Sequence, residues 1–220
     1  GNDEAAAEII QNTAKEHHAP CREIGKNAFE IREVTRKHIA FSRTNAYHKD
    51  VIWQVPICGI YQVKNAEIAI EAAQCLLGNK PEHEEMWRDA VAKIQWQGRM
   101  EECADHFIID GAHNPGAIEA FVESVRALKE EEPPILIFSA VSDKKYEQMI
   151  EYLCRHLQTK AFVVTEIEDK RRVPAGELGE IFKRYATCPV YVKADVKDAI
   201  ACAYEMRTKE TYIYCIGSLY

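Results

Sequence analysis

Between residues 106 and 216, five short apolar runs alternate with four stretches of helical periodicity, and few folds accommodate that order. The runs are His106–Asp110, Ile135–Phe138, Ala161–Thr165, Val190–Val192 and Tyr212–Ile216. Ile118, Phe121, Val122, Val125 and Leu128 recur at the spacing of one helix face. Tyr146, Met149, Ile150, Leu153 and Leu157 repeat the pattern, as do Leu178, Ile181, Phe182 and Tyr185. Val196, Ala199, Ile200 and Ala203 do so behind Asp195, which is suited to cap their helix. Strands joined by whole helices pair in parallel, because parallel neighbours need a long crossover. With right-handed crossovers the expected result is α/β: a Rossmann-like, doubly wound, mostly parallel sheet. Ile135-Leu136-Ile137-Phe138 is apolar at every position, as a strand covered on both faces requires.

The first half has a different order. A helix is expected over Glu4–His18, strands over Phe29–Val34, His38–Ser42 and Val51–Val55, then helices over Val63–Leu77 and Glu82–Ile94. Strands followed by helices, without a complete repeat, read as the tail of a larger domain. The boundary is expected near Gln97-Gly98, giving one unit over residues 1–98 and a second over 99–220. The opening Gly1, with no Met before it, reads as a trimmed or excised fragment.

Apolar residues make up 47 % of the chain, ample for a core, yet no apolar run approaches the ~20 residues of a membrane helix. The polar first stretch does not read as a signal peptide, so no membrane partner and a cytoplasmic location are expected. A net charge of −7 argues against non-specific nucleic-acid binding. None of the eight cysteines forms a C-x-x-C pair, so buried, reduced thiols are expected rather than a zinc or redox site.

The sharpest local feature is Asp110-Gly111-Ala112-His113-Asn114-Pro115-Gly116, where the first expected strand turns into its helix. In open α/β sheets, ligands bind outside the carboxyl ends of the strands. Gly111 allows a turn or a close backbone approach to a ligand. Asn114 suits an N-cap and Pro115 the first helical position, so the helix start would present free N–H groups to an anion beside His113. On chemistry alone, an ordinary strand-to-helix turn remains open as the alternative.

Asp-Gly-Ala-His-Asn-Pro is also the motif of the folylpolyglutamate and dihydrofolate synthase family, within the Mur ligase superfamily. Gly59-Ile60-Tyr61-Gln62-Val63-Lys64-Asn65-Ala66 is similar to that family's G-x-x-Q-x-x-N-A segment. Trp96-Gln97-Gly98-Arg99-Met100-Glu101 resembles its W-P-G-R-[LM]-E, with Gln97 in place of Pro. Ser142-Asp143-Lys144-Lys145 resembles its D-K-D segment with Lys145 in place of the second Asp, and Ile216-Gly217-Ser218-Leu219-Tyr220 resembles its closing G-S-L-Y. The motifs stand in the family's order over nearly the whole chain.

The resemblance implies an ATP-dependent ligase that activates a folate carboxylate as an acyl phosphate and joins glutamate to it. Dihydropteroate is a further acceptor the family allows. Carried over, Asn65, Arg99 and Asp110 would bind the nucleotide, Asp110 at the ribose. His113 would meet the phosphate or the incoming glutamate, Ser218 would help hold glutamate, and Lys144 would place a cation near the phosphates. Each has a plain alternative: a helix cap for Asn65, a surface ion pair with Glu101 or Glu102 for Arg99, turn hydrogen bonds for Asp110, a strand-end cap for Ser218, and solvation for Lys144, Arg171 and Arg172.

The sequence contains no G-x-x-x-x-G-K-[ST] phosphate loop. The resemblance therefore implies the end of a central ATP-binding domain followed by the glutamate-ligase domain. ATP and Mg²⁺ would both depend on elements upstream, with no metal ligand in this chain itself. The chain alone would be inactive and bind ATP weakly, and its partners would be the small molecules ATP, folate and L-glutamate, with the protein a monomer. Two other readings stand beside this one: a different Mur-type amino-acid ligase, or a non-catalytic α/β binding module.

Overall fold

The structure, a computed structural model, describes residues 4–25, 27–44, 51–78 and 80–217. The first part consists of α1 (Glu4–Glu16), β1 (Phe29–Val34), β2 (Ile39–Arg43), β3 (Ile52–Val55), α2 (Tyr61–Leu77) and α3 (Pro81–Val91). The second consists of β4 (Glu101–Ala104), β5 (Phe107–Asp110), α4 (Pro115–Leu128), β6 (Ile135–Ser139), α5 (Tyr146–His156), β7 (Ala161–Val164), α6 (Ala175–Tyr185), β8 (Val190–Val192), α7 (Val196–Met206) and β9 (Ile213–Gly217).

The larger sheet has the order β4-β5-β9-β6-β7-β8. All its pairings are parallel except β4 with β5. The last strand inserts between β5 and β6, which explains why Ile213, Tyr214 and Ile216 are buried and why the chain can spend a nearly all-apolar segment there. Alternate residues feed different layers. Leu136, Phe138 and Phe162 join Phe121 of α4, Leu153 of α5 and Phe182 of α6 on one face. Ile135, Ile137, Val163 and Ile213 meet Ala199 and Ala203 of α7 on the other. The expected doubly wound sheet is therefore present, with helices on both faces. Strand β4 was not expected: Glu101, Glu102 and Cys103 carry no apolar run, and β4 is a short edge strand that leaves most of its side chains in solvent.

The smaller sheet is antiparallel, in the order β1-β2-β3. Its buried Phe41, Trp53 and Val55 pack with Val63 and Ile70 of α2 and with Trp87 and Val91 of α3. Arg43 is buried and forms a forked ion pair with the equally buried Glu67 of α2, at 2.8–3.1 Å, which fixes α2 on the sheet. Helix α2 starts at Tyr61, two residues before the expected Val63, while α3 stops at Val91, short of Ile94. The apolar core is continuous from this sheet through Met100, Ile108 and Ala112 into the larger one. The β1–β2 hairpin adds a polar tie: the Arg36 guanidinium lies 3.5 Å over the Tyr212 ring and pairs with Glu130.

The cysteines depart from expectation. All eight are free, but Cys58 alone is fully buried, and Cys21, Cys75 and Cys103 are exposed because they lie on solvent-facing positions of the first unit and of the edge strand.

Candidate functional site

At the carboxyl end of β5, the two turns that carry the sequence motifs are laced together. The Gly111 N–H donates to the Gly98 carbonyl (2.8 Å), and the Met100 N–H donates to Asp110 Oδ2 (2.9 Å). Met100 has a left-handed φ of +49°, a conformation a non-glycine residue keeps only when its surroundings over-determine it. Glu101 supports the same turn by accepting from the Gly98 N–H at 2.7 Å. This lacing sets Arg99 on the rim of the β5–α4 turn. Glu102 accepts from the His106 N–H at 3.0 Å.

Asp110 is 2 % exposed and accepts three hydrogen bonds. The Tyr61 hydroxyl and the Met100 N–H reach Oδ2 at 2.6 and 2.9 Å, and the Ala112 N–H reaches Oδ1 at 2.9 Å. Burial pushes the carboxyl pKa up, while the Tyr61 bond, the Met100 N–H, the Arg99 charge and the Ala112 N–H pull it back. Burial, followed by the nearby Asp110 charge, holds the Tyr61 phenol far above its usual range, so its hydroxyl stays a proton donor. The turn hydrogen bonds considered for Asp110 are thus real, and they leave Oδ1 with acceptor capacity toward the cavity.

Tyr61, Asn65, Arg99, Asp110, His113 and Asn114 line one cavity of about 270 Å³. Asn65 lies within α2 rather than capping it, one turn beyond Tyr61, and its amide donates to Gln62 Oε1 at 2.7 Å. His113 Nδ1 faces the Gly111 carbonyl at 2.8 Å. With Nδ1–H donating there, the neutral ring presents Nε2 as an acceptor. Asn114 caps α4 by accepting from the Ala117 N–H at 2.9 Å, with Pro115 at the first helical position. The helix start borders the cavity, but Pro115 has no N–H and the Ala117 N–H is taken by the cap, so of the first three helical residues only Gly116 keeps an N–H that the cap does not use.

Lys144 lies apart from that cavity, on the turn after β6. Its loop is tied to the segment after β7 by the Ser142 N–H donating to the Arg171 carbonyl (2.7 Å) and by Arg171 pairing with Asp143. Arg171 also pairs with Asp169, and Arg172 approaches Glu166 at 3.7 Å, so both arginines are engaged at the surface. Ser218 lies outside the described residues, and Gly217 before it ends β9. Asp110 pairs with Ile216 across β5–β9, and Ser139 pairs with Gly217 across β9–β6. The carboxyl ends of three adjacent strands therefore converge on one side of the sheet. Tyr61 escaped the sequence reading as a site residue. Its signal was present, since it sits inside the Gly59–Ala66 motif, but only the fold carries it to Asp110.

The profile of the Mur ligase glutamate ligase domain matches residues 98–219. The chain belongs to the Mur ligase family. Within that family it is 27 % identical over 155 residues to the dihydrofolate synthase/folylpolyglutamate synthase of Bacillus subtilis, covering 67 % of this chain and 36 % of that protein. To the folylpolyglutamate synthase of Lacticaseibacillus casei it is 31 % identical over 110 residues, covering 48 % of this chain and 26 % of the relative. Among solved structures, the Mycobacterium tuberculosis folylpolyglutamate synthase complexed with ADP superposes with a TM-score of 0.82 at 20 % identity. That match takes in 96 % of this chain and 50 % of the other, and it speaks for the shared fold. This Mur ligase chain thus spans about half the length of the solved structure and about a third or less of those two curated relatives.

Proposed function

We propose that this chain is the nucleoside- and glutamate-holding part of an ATP-dependent folylpolyglutamate synthase, with dihydrofolate synthase activity as a further capacity of that enzyme class. The observation that carries the reading is the convergence of Asn65, Arg99, Asp110 and His113 with the start of α4 in one cavity, on a chain whose curated relatives are such synthases. Asp110 offers Oδ1 to a ribose hydroxyl, Arg99 and Asn65 hold the remainder of the nucleotide, and the α4 start favours a phosphate. At about 270 Å³ the cavity falls below the ~300–1,000 Å³ usual for a complete ligand site, which suits holding part of a ligand only.

In the proposed reaction a folate carboxylate oxygen takes the γ-phosphoryl group and ADP leaves. The glutamate ammonium gives up one proton, the free amine attacks the acyl carbon, phosphate departs, and the nitrogen loses a second proton to leave the amide. His113, its Nδ1 held at the Gly111 carbonyl, keeps Nε2 for the phosphate or the incoming glutamate. Lys144 and Ser218, beyond β6 and β9, are assigned to the acyl-phosphate and glutamate side, where a cation stabilises developing charge. Among the described residues no group of three His, Cys, Asp or Glu side chains is arranged to hold a metal ion. The metal and the β- and γ-phosphates are assigned to other parts of the enzyme, since the sequence carries no phosphate loop. Alone, the chain is expected to ligate no glutamate. Residues 1–98 are read as the end of the ATP-binding domain and 99–220 as the glutamate-ligase domain.

The test is steady-state kinetics of an enzyme in which this chain is joined to a phosphate-loop domain. His113→Ala should lower kcat/KM by about 10²–10³-fold, the usual loss for one transition-state contact. Arg99→Ala should raise the KM for ATP more than it lowers kcat, since a nucleotide-holding contact is made in ground and transition states alike. Unchanged kinetics in both variants would contradict the assignment.

A further inference from the structure

Two of the three donors on Asp110 are backbone N–H groups of the turns that flank it, and the third comes from far away in sequence. The Tyr61 hydroxyl reaches across from the first turn of α2, 49 positions earlier, and approaches Oδ2 to 2.6 Å, a short charge-assisted bond. The ring has a place kept for it. A Cβ at Gly59 would stand 2.8 and 2.9 Å from two Tyr61 ring carbons, so a side chain there would drive the ring aside. A second tie holds the same helix start, the Ile60 N–H donating to Ser124 Oγ of α4 at 3.0 Å. The backbone that carries the ring is thus pinned to α4.

A carboxylate has about four acceptor positions. Oδ2 of Asp110 already carries two donors and Oδ1 carries one, so a ligand in the cavity finds one position open. Tyr61 lines that cavity itself and closes the Oδ2 side. We propose that Tyr61 is the positioning and specificity residue of this site, holding Asp110 as an acceptor for a single hydroxyl of a bound ribose. The proposal rests on the nucleotide reading above and deepens it: the site reads one of the two sugar hydroxyls and is indifferent to the other. Tyr61 also does more than fill space: burial pushes the Asp110 carboxyl pKa up, and the Tyr61 hydrogen bond is the foremost interaction pulling it back.

ATP, 2′-deoxy-ATP and 3′-deoxy-ATP are titrated separately into the full chain and into Tyr61→Phe, with dissociation constants read from NMR shift changes. The wild-type chain should lose about tenfold in affinity for one deoxy analogue and under about twofold for the other, the size expected for one hydrogen bond to a charged acceptor. In Tyr61→Phe the ring still fills its place but the carboxylate has lost its side-chain donor, and the preference should fall below about threefold. A ratio of two affinities on one sample does not depend on the fraction folded, so lost stability cannot imitate this result. Gly59→Ala, which displaces the ring while keeping the hydroxyl, should lose the same preference. A Tyr61→Phe protein that keeps the wild-type ratio would overturn the proposal, as would a wild-type chain that binds ATP and both analogues equally. A wild-type chain that binds no nucleotide at all would refute the nucleotide reading itself, and this proposal with it.

Discussion

Gly217 ends β9 with a φ of +112°, and a Cβ there would lie 2.0 Å from the Ser139 carbonyl oxygen. No side chain fits, because the obstacle is the backbone of the neighbouring strand. Gly217→Ala should cost at least about 2 kcal/mol, combining an unfavourable dihedral with a strand that must shift, read as a lowered urea midpoint at unchanged m-value. At this scale the sequence was legible where one residue's chemistry is local. Asn114 and Asp195 cap helices because their short oxygen-bearing side chains reach N–H groups two and three residues on. It was illegible where the partner is distant. Neither the Tyr61–Asp110 bond nor the buried Arg43–Glu67 pair has any periodic or spacing signature: the first exists only after the two sheets assemble, the second only after α2 packs on the small sheet.

Helix α4 is the element that joins fold to site. Its apolar face, with Ile118, Phe121 and Val122, is buried against the larger sheet, while its capped start opens on the cavity. Asn114→Ala should lower stability by about 1 kcal/mol by orphaning the Ala117 N–H, and Asn114→Ser should restore most of it; chemical denaturation of the three proteins checks this. The parallel strands and their helices were legible because each carries a full apolar period. Edge strand β4 was not, since a two-glutamate edge has no such period and is held by pairing with β5 alone. Helix ends slipped by two or three residues where no cap marks them: α2 starts behind Ile60 with no side-chain cap, and α3 ends at Val91 in a loose turn.

Across the whole molecule, one core runs from Phe41 and Trp53 of the small sheet to Phe138 of the large one and Phe182 of α6. Arg36 on Tyr212, Tyr61 on Asp110 and Ile60 on Ser124 add polar ties between the same two parts. The cavity around Asp110 lies at that junction and draws its walls from both. No helix among the described residues is long and apolar enough to cross a membrane. A second opening of about 660 Å³, bordered by Arg126, Lys129 and Arg155 but also by Glu130, Glu131 and Glu132, lies at the opposite end of the sheet and serves as the control site for ATP. A titration of the full chain with millimolar ATP, followed by two-dimensional amide NMR, separates the two. Gly111, Ala112, His113, Arg99 and Asn65 should shift together, and Asp110→Ala should abolish the effect. Shifts confined to Arg126, Lys129 and Arg155, or shifts around Gly111 that survive Asp110→Ala, would contradict the nucleotide reading of the Asp110 cavity.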